Sequence, residues 1–145
     1  MGSDEEFQRA VEAVYATYGA FGAGDAAPFA ALWSRGDDVT IFGGFGAYER
    51  GWAAVGPRMD WAASRFGGGG QTTRYEPLAA GSSGDLGYAV GLERSESRLA
   101  GRDEPSPMLL RVTHLFRRED GAWWIIHRHA DPIAAKTAPE AILLR

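Results

Sequence analysis

The chain has 145 residues, of which 45% are hydrophobic and 23% charged, with a formal net charge of −4. These values are typical of one globular domain and exclude disordered and fibrous proteins. The acidic balance argues against nucleic-acid binding, and the absence of cysteine excludes disulfides and cysteine nucleophiles. No apolar run is long enough for a membrane span, and the polar start does not resemble a signal peptide. We expect a single cytoplasmic domain over residues 1–145, with no membrane or nucleic-acid partner.

The N-terminal part of the sequence predicts two packed helices. The first covers residues 3–21, and Ser3 with Glu6 forms a capping box at its start. Its apolar side chains recur at spacings of three and four: Phe7, Val11, Val14, Tyr18 and Phe21. Asp25 is placed to cap a second, short helix.

The pattern changes after Asp38 to a short strand, a glycine turn, a returning strand and a third helix. These elements are predicted at 39–42, 43–44, 47–49 and 52–66, followed by a glycine break at 67–70.

The second half of the chain reads as strands. They are predicted at about 72–78, 86–98, 108–118 and 122–131, and the tail from residue 132 is weakly helical or irregular. Asp120-Gly121 is a strong signal for a tight hairpin. Because the helices and strands are segregated, we expect an α+β fold with three helices on one face of a curved, antiparallel-rich sheet.

The last hairpin carries a family resemblance. From Thr113 to His129 it reads THLFRREDGAWWIIHRH, with a turn glycine, a tryptophan two residues on, and then apolar-apolar-His-x-His. This pattern resembles the closing hairpin of SnoaL-like proteins and of the association domain of calcium/calmodulin-dependent protein kinase II. Both belong to the nuclear transport factor 2 (NTF2)-like superfamily, which also contains ketosteroid isomerase. The order of elements over about residues 5–131 agrees, leaving 132–145 as a tail.

The resemblance implies a cone-shaped, cystatin-like α+β barrel that is often dimeric, with a pocket between the helices and the concave sheet. Alternation along the last strand puts Trp123, Ile125, His127 and His129 on one face. The other face carries Trp124, Ile126 and Arg128. Since both faces begin apolar and the helices cover only one, we expect Trp124, Ile126 and Arg128 to contact a second subunit in a homodimer. The alternative is that C-terminal residues cover this face within one chain.

Two registers of the last hairpin are open. A two-residue turn would pair Phe116 with Ile125 and His114 with His127, bringing all three histidines of the chain together. A bulge at the turn would shift the pairing by one residue, so that Arg111 and Thr113 join the two later histidines instead. The first register is favoured.

The polar groups on that face have three interpretations. The histidines are hydrogen-bonded core residues, or they line a ligand pocket, or they hold a metal completed by His114 or Asp131. No carboxylate is firmly placed beside them, so no metal and no cofactor are expected. The predicted pocket residues are Tyr15, Trp33, Phe42, Trp52, Met59, Arg111, His114, His127 and His129.

The chemistry of ketosteroid isomerase can be tested residue by residue. Tyr15 and Tyr18 are plausible proton donors, but the position of the base falls at Phe42-Gly43, and neither residue takes a proton. The resemblance therefore does not carry the isomerase activity to this chain. For a SnoaL-type cyclase, the candidate acid or base is Glu93, Glu96 or His129.

Two functions follow as hypotheses. The first is a protein that binds a small apolar molecule with a carbonyl or carboxylate group, with polyketide-cyclase-like or isomerase-like chemistry as its enzymatic form. In that form His127 and His129 would polarise the ligand or exchange a proton with it. The alternative is a non-catalytic association module, whose output is assembly.

Overall fold

The computed structural model describes residues 3–67 and 72–144. Within them the α-helices are α1 Ser3–Tyr15, α2 Tyr18–Gly22, α3 Ala27–Ala30 and α4 Trp52–Ser64. The strands are β1 Thr40–Phe42, β2 Glu49–Arg50, β3 Thr72–Ser83, β4 Leu86–Ser97, β5 Ser106–Glu119 and β6 Ala122–Asp131, and a 3-10 helix follows at Pro139–Ile142. No described helix is both long and apolar enough to cross a membrane. Apart from Gly67, the predicted glycine break at 67–70 lies outside the described residues.

The predicted first helix is interrupted between α1 and α2. The hydroxyl of Thr17 donates to the carbonyl of Val14 at 2.6 Å, and the Thr17 amide donates to the same carbonyl at 3.1 Å. Such a local bond competes with the helical ladder, so the helix stops and restarts. The N-cap residue of α3 is Ala26 rather than the predicted Asp25, but the Asp25 side chain, one residue earlier, accepts a hydrogen bond from the amide of Ala27 at 3.0 Å.

The strands form one curved, unclosed sheet in the order β2-β1-β6-β5-β4-β3. Neighbours are antiparallel except β1 and β6, which run parallel. The expected α+β fold is confirmed. The end of β3 differs from the expectation, because the strand continues past residue 78 to Ser83 and turns at Gly84-Asp85.

The helices pack closely on one face of the sheet. The ring of Phe7 on α1 meets Phe116 and Trp123 edge-on, at 5.2 and 5.0 Å between ring centroids. At Gly87 on β4 a Cβ atom would overlap the Phe7 ring, so this approach requires glycine. Trp123 therefore faces the interior, as its position in the last strand predicts.

The hairpin between β5 and β6 begins as the two-residue register predicts. Asp120 and Gly121 have φ angles of +52° and +80°, which are typical of a type I′ turn. The pairing of Phe116 with Ile125 follows directly.

A β-bulge then adds one residue to β6. Leu115 pairs with His127, so Ile126 has no partner, and His114 pairs with Arg128. The predicted pairing of His114 with His127 is therefore wrong. Because side chains alternate between faces, the extra residue turns Arg128 to the helix-covered face and His127 to the outer face.

Beyond the bulge, Thr113 lies opposite His129 and Arg111 opposite Asp131. This is the grouping that the second register predicts. It arises from the bulge within β6 rather than from the turn, and it lies on the outer face of the sheet.

Candidate functional site

An apolar pocket of about 450 Å³ lies between α4 and the sheet. Its volume is in the range of small-molecule sites. Among the described residues, the ionisable side chains in its lining are two arginines, Arg58 and Arg128. The lining consists of Phe21, Phe29, Ile41, Gly43, Gly44, Phe45, Arg58, Met59, Ala62, Phe66, Pro107, Met108, Leu109, Leu110, Arg128 and Pro132.

A smaller cavity of about 70 Å³ shares part of this lining, including Arg128, and reaches Tyr18 and Glu93. The pocket therefore adjoins a buried polar group. The side chains of Arg128 and Glu93 are only 12% and 4% exposed. Nη1 of Arg128 donates to Oε2 of Glu93 and Nη2 donates to Oε1, both at 3.0 Å. This bidentate geometry is the strongest form of an arginine–carboxylate contact.

Two further side chains complete the network. The hydroxyl of Tyr18 donates to Oε2 of Glu93 at 2.6 Å and accepts from Nη1 of Arg128 at 2.8 Å. Nε2 of His114 lies 3.1 Å from the same Nη1. Nη1 has two protons for these three acceptors, so one N–H is shared between two of them. Since a guanidinium only donates, Nε2 of His114 is assigned as an acceptor, with the ring proton on Nδ1.

The electrostatics of the network leave one positive and one negative charge. Burial alone would raise the pKa of Glu93, but the charge and hydrogen bonds of Arg128 outweigh it and hold the pKa below its usual value. Burial and then the Arg128 charge lower the pKa of His114 from 6.5 to about 3. Burial raises the pKa of Tyr18 well above 10.0. At neutral pH Glu93 and Arg128 are thus ionised, whereas His114 and Tyr18 are neutral.

The guanidinium of Arg128 is not fully used by the protein. Nη2 has one acceptor for its two protons, and among the described residues no acceptor is found for Nε–H. Because Arg128 lines the pocket, its guanidinium is a candidate donor to a bound molecule.

His127 and His129 lie elsewhere, and the prediction that they face the interior is wrong. Nδ1 of His127 is 2.7 Å from the hydroxyl oxygen of Thr40, and the ring of Phe42 lies 5.1 Å from His127 and 5.4 Å from His129. Phe42 itself is 43% exposed. The bulge at Ile126 is the reason, since it moves both histidines to the outer face.

Arg111 is also on the outer face. It donates from Nε and Nη2 to the two carboxylate oxygens of Asp131, at 2.7 and 2.8 Å. His129 approaches the same carboxylate, with Nε2 at 3.5 Å from Oδ2. The described residues contain no group of three or more histidine and carboxylate side chains placed to hold a metal ion.

The other predicted pocket residues are divided between core and pocket. Met59 lines the large pocket, and His114 lies beside it in the Arg128 network. Trp33 is fully buried in the core, and Tyr15 packs against that core. Trp52 is covered by a cation, the Arg35 guanidinium lying 3.8 Å above its ring.

The three residues predicted to form the subunit interface lie in different parts of the structure. Trp124 lies on the outer face and donates from Nε1 to the carbonyl of Glu119 at 3.2 Å. Ile126 packs against the core, and Arg128 is buried in the network. Placing Arg128 in a subunit interface is therefore wrong, because the bulge brings it inside the chain.

The sequence does not identify two important side chains of the pocket. Arg128 is assigned to the wrong face, and Arg58 stands on a helix with nothing in the sequence to mark it. Glu93 is a candidate acid or base in the sequence, and the structure places it in the network, whereas Glu96 is exposed. One feature of the sequence does point to Glu93. It is an acidic residue on a face of β4 whose preceding residues, Ala89 and Gly91, are small.

Replacing Glu93 with Gln should destabilise the protein by about 3–5 kcal/mol, because it leaves the Arg128 charge buried without its counter-charge. Urea unfolding followed by circular dichroism measures this difference. Glu96→Gln, an exposed acid on the same strand, is the matched control and should change stability by less than about 0.5 kcal/mol. Equal effects of the two substitutions would contradict the importance of the buried pair.

The stability of the protein should fall as the pH decreases from about 6.5, the usual His pKa, towards 3. In this window the unfolded chain takes up a proton at His114 that the folded chain excludes, which costs up to about 1.4 kcal/mol per pH unit. The pKa of Glu93 is also lowered in the folded protein, so protonation of Glu93 reduces the stability further in more acidic solution. His114→Gln should flatten the dependence between pH 6.5 and 5.

The measurement is the free energy of unfolding in urea at each pH. Leu78→Gln, an exposed position on β3 that carries no titratable group, is the control and should retain the slope of the wild type. A slope that is the same in the wild type and in His114→Gln would show that His114 is not the group responsible.

The fold has close counterparts among solved structures. An NTF2-like superfamily protein from Salmonella enterica serovar Typhimurium superimposes with a TM-score of 0.75 at 16% identity, over 93% of each chain. A ketosteroid isomerase-like protein from Erwinia carotovora gives 0.73 at 17% identity, over 90% of this chain and 96% of the other. A candidate calcium/calmodulin-dependent protein kinase type II association domain from Thiobacillus denitrificans gives 0.66 at 21%, over 86% and 93%.

At these identities the likeness shows the fold alone. No curated protein matches the chain. The resemblance in the closing hairpin is nevertheless confirmed over most of the sequence, since a model of the SnoaL-like domain matches residues 11–135. The chain therefore belongs to the SnoaL-like family.

Proposed function

We propose that the chain binds a small, largely apolar molecule with a carbonyl group, held in the pocket between α4 and the sheet. The observation that carries this proposal is an apolar cavity of about 450 Å³ with a buried, incompletely used arginine in its lining. Ligand sites typically have this composition, in which apolar walls supply affinity and a few polar groups supply orientation. The SnoaL-like family supports a ligand-binding or isomerase-like fold.

The charge balance favours a neutral acceptor at Arg128. The carboxylate of Glu93, 3.0 Å from the guanidinium of Arg128, already balances its positive charge. A ligand carboxylate placed beside Arg128 would therefore be repelled by the negative charge of Glu93. A carbonyl oxygen needs only one N–H donor and brings no charge into the low-dielectric interior. Of the carbonyl and carboxylate alternatives, the carbonyl therefore fits this end of the pocket better.

The same geometry limits the chemistry. Arg128 could stabilise negative charge that develops on a carbonyl oxygen, as an enolising or cyclising reaction requires. The nearby proton acceptors are weak, because Glu93 is held ionised by Arg128 and Nε2 of His114 accepts a hydrogen bond. We therefore propose binding and polarisation of a carbonyl group as the main function. If the protein is an enzyme, this function corresponds to a cyclase-like or isomerase-like step. Because His127 and His129 lie on the outer face of the sheet, the proposal assigns them no role in this step.

The proposal is tested with a matched ligand pair, 1-tetralone and tetralin, which differ only in the carbonyl group. Calorimetric titration should show about tenfold tighter binding of the ketone, the value of one hydrogen bond to a charged donor. This contrast leaves the buried ion pair intact, whereas substituting Arg128 would disturb the fold.

Ala62→Phe, which places a ring in the pocket, should abolish binding of both compounds while the far-ultraviolet circular dichroism stays unchanged. Met108→Phe provides a second blocking variant on the opposite wall. Unaltered binding in both folded variants would show that the pocket is not the site. Equal affinity for the two compounds would contradict the role of Arg128.

The association hypothesis is supported by a different surface. The outer face of the sheet carries the exposed pair Tyr88 and Leu115, with Leu86 two residues from Tyr88 on β4 and Trp124 on β6. An apolar patch across three strands is typical of a protein interface. We propose that this face joins two copies of the chain in a homodimer, with Trp124 as the residue retained from the sequence prediction.

The double substitution Tyr88→Lys with Leu115→Lys should convert a dimer to a monomer, because like charges would face each other across the two-fold interface. Sedimentation equilibrium measures the mass. Ile142→Lys, an exposed apolar residue in the tail, is the control and should stay dimeric. A monomeric wild type would contradict the dimer, and a larger ring would favour the association module.

A further inference from the structure

Arg58 is the second cation of the pocket, and its charge is not balanced. It lies on α4 one residue before Met59 and four before Ala62, so the three side chains line the same cavity. None of the ion pairs found among the described residues includes it. Its surroundings differ from those of Arg128, whose charge Glu93 neutralises.

The contacts of Arg58 hold the guanidinium in place without neutralising its charge. Nη2 donates to the backbone carbonyl of Gly46 at 3.1 Å, and the guanidinium lies 4.2 Å above the ring of Trp61. Gly46 is exposed, and Trp61 is 41% exposed, so this part of the pocket is its solvent side. A positioned guanidinium with free donors is well suited to recognising a carboxylate or sulfonate.

We infer, on the basis of the proposed binding function, that the pocket selects an amphipathic ligand with two different polar ends. A neutral acceptor such as a carbonyl meets Arg128 at the buried end, an anionic group pairs with Arg58 at the mouth, and an apolar body fills the space between them. Arg58 thereby determines specificity, since apolar walls alone would accept neutral and anionic molecules of the same shape.

The lining supports this assignment. No aspartate or glutamate is present among the described residues that line the large pocket, so nothing there repels an anion. The whole chain is acidic, with a net charge of −4, and attraction of an anion therefore depends on a local cation. At the mouth the ligand's charge can remain partly hydrated, which avoids the cost of burying it fully.

A purely structural role for Arg58 is the competing explanation. Its hydrogen bond to Gly46 tethers the loop between β1 and β2 to α4, and loss of this tether would weaken binding of any ligand. Arg58→Gln retains an amide donor for the carbonyl but loses the charge, whereas Arg58→Lys retains the charge. The two substitutions therefore distinguish an electrostatic role from a tethering role.

The test uses two fluorescent probes with the same aromatic skeleton, the anionic 8-anilinonaphthalene-1-sulfonate and the neutral N-phenyl-1-naphthylamine. The wild type should bind the sulfonate about tenfold more tightly than the neutral probe, and this preference should shrink with added salt. Arg58→Gln should remove the preference, and Arg58→Lys should restore most of it. Arg65→Gln is the matched control, because Arg65 also lies over Trp61, at 5.7 Å, but does not line the pocket.

Probe bound outside the pocket is measured with Ala62→Phe and subtracted. Pocket binding of both probes with equal affinity, or an equal loss of both in Arg58→Gln, would overturn the role of Arg58 and leave the proposed function standing. Failure of both probes to bind the pocket of the wild type would overturn the two-ended ligand, and failure of 1-tetralone to bind there as well would overturn the proposed function.

Discussion

A carboxylate and a guanidinium buried against each other constrain this molecule more than any other contact. Charges removed from water need partners, so Glu93 and Arg128 cannot separate without a large cost. The network that satisfies them draws one side chain from each of four elements: Tyr18 of α2, Glu93 of β4, His114 of β5 and Arg128 of β6. The position of α2 over the sheet and the shape of the adjoining pocket therefore depend on the same few hydrogen bonds.

One additional residue in β6 makes this network possible. Without the bulge at Ile126, strict alternation would bring His127 inside and leave Arg128 on the outer face. The strand begins with Trp123 and Ile125 facing the core and ends with a histidine pair facing outwards. The bulge thus separates the residues that maintain the core from those that lie on the outer face of the sheet.

The order of elements and the tight hairpin can be predicted because their signals are local: capping residues, periodic apolar side chains and the Asp120-Gly121 turn. The face of the sheet on which His127, Arg128 and His129 lie cannot be predicted in this way, because a bulge depends on tertiary contacts that no local sequence pattern indicates. On β4 the usual pattern is even inverted, with small Ala89 facing the core and Tyr88 facing outwards, since α1 approaches this strand closely. A fold can therefore be recognised from sequence while some of the residues expected in its pocket, such as His127 and His129, face the opposite side of the sheet.

The parallel pairing of β1 with β6 has a consequence for the folding order. It joins residues far apart in the chain, such as Thr40 and His127, 87 positions from each other. Closing so long a loop is entropically costly, whereas the hairpins of β3 to β6 form from nearby segments. We therefore expect the pocket wall at Ile41 to be completed late, after the meander is in place. A ligand of the proposed kind would have no site before that step, so it should slow unfolding rather than accelerate folding.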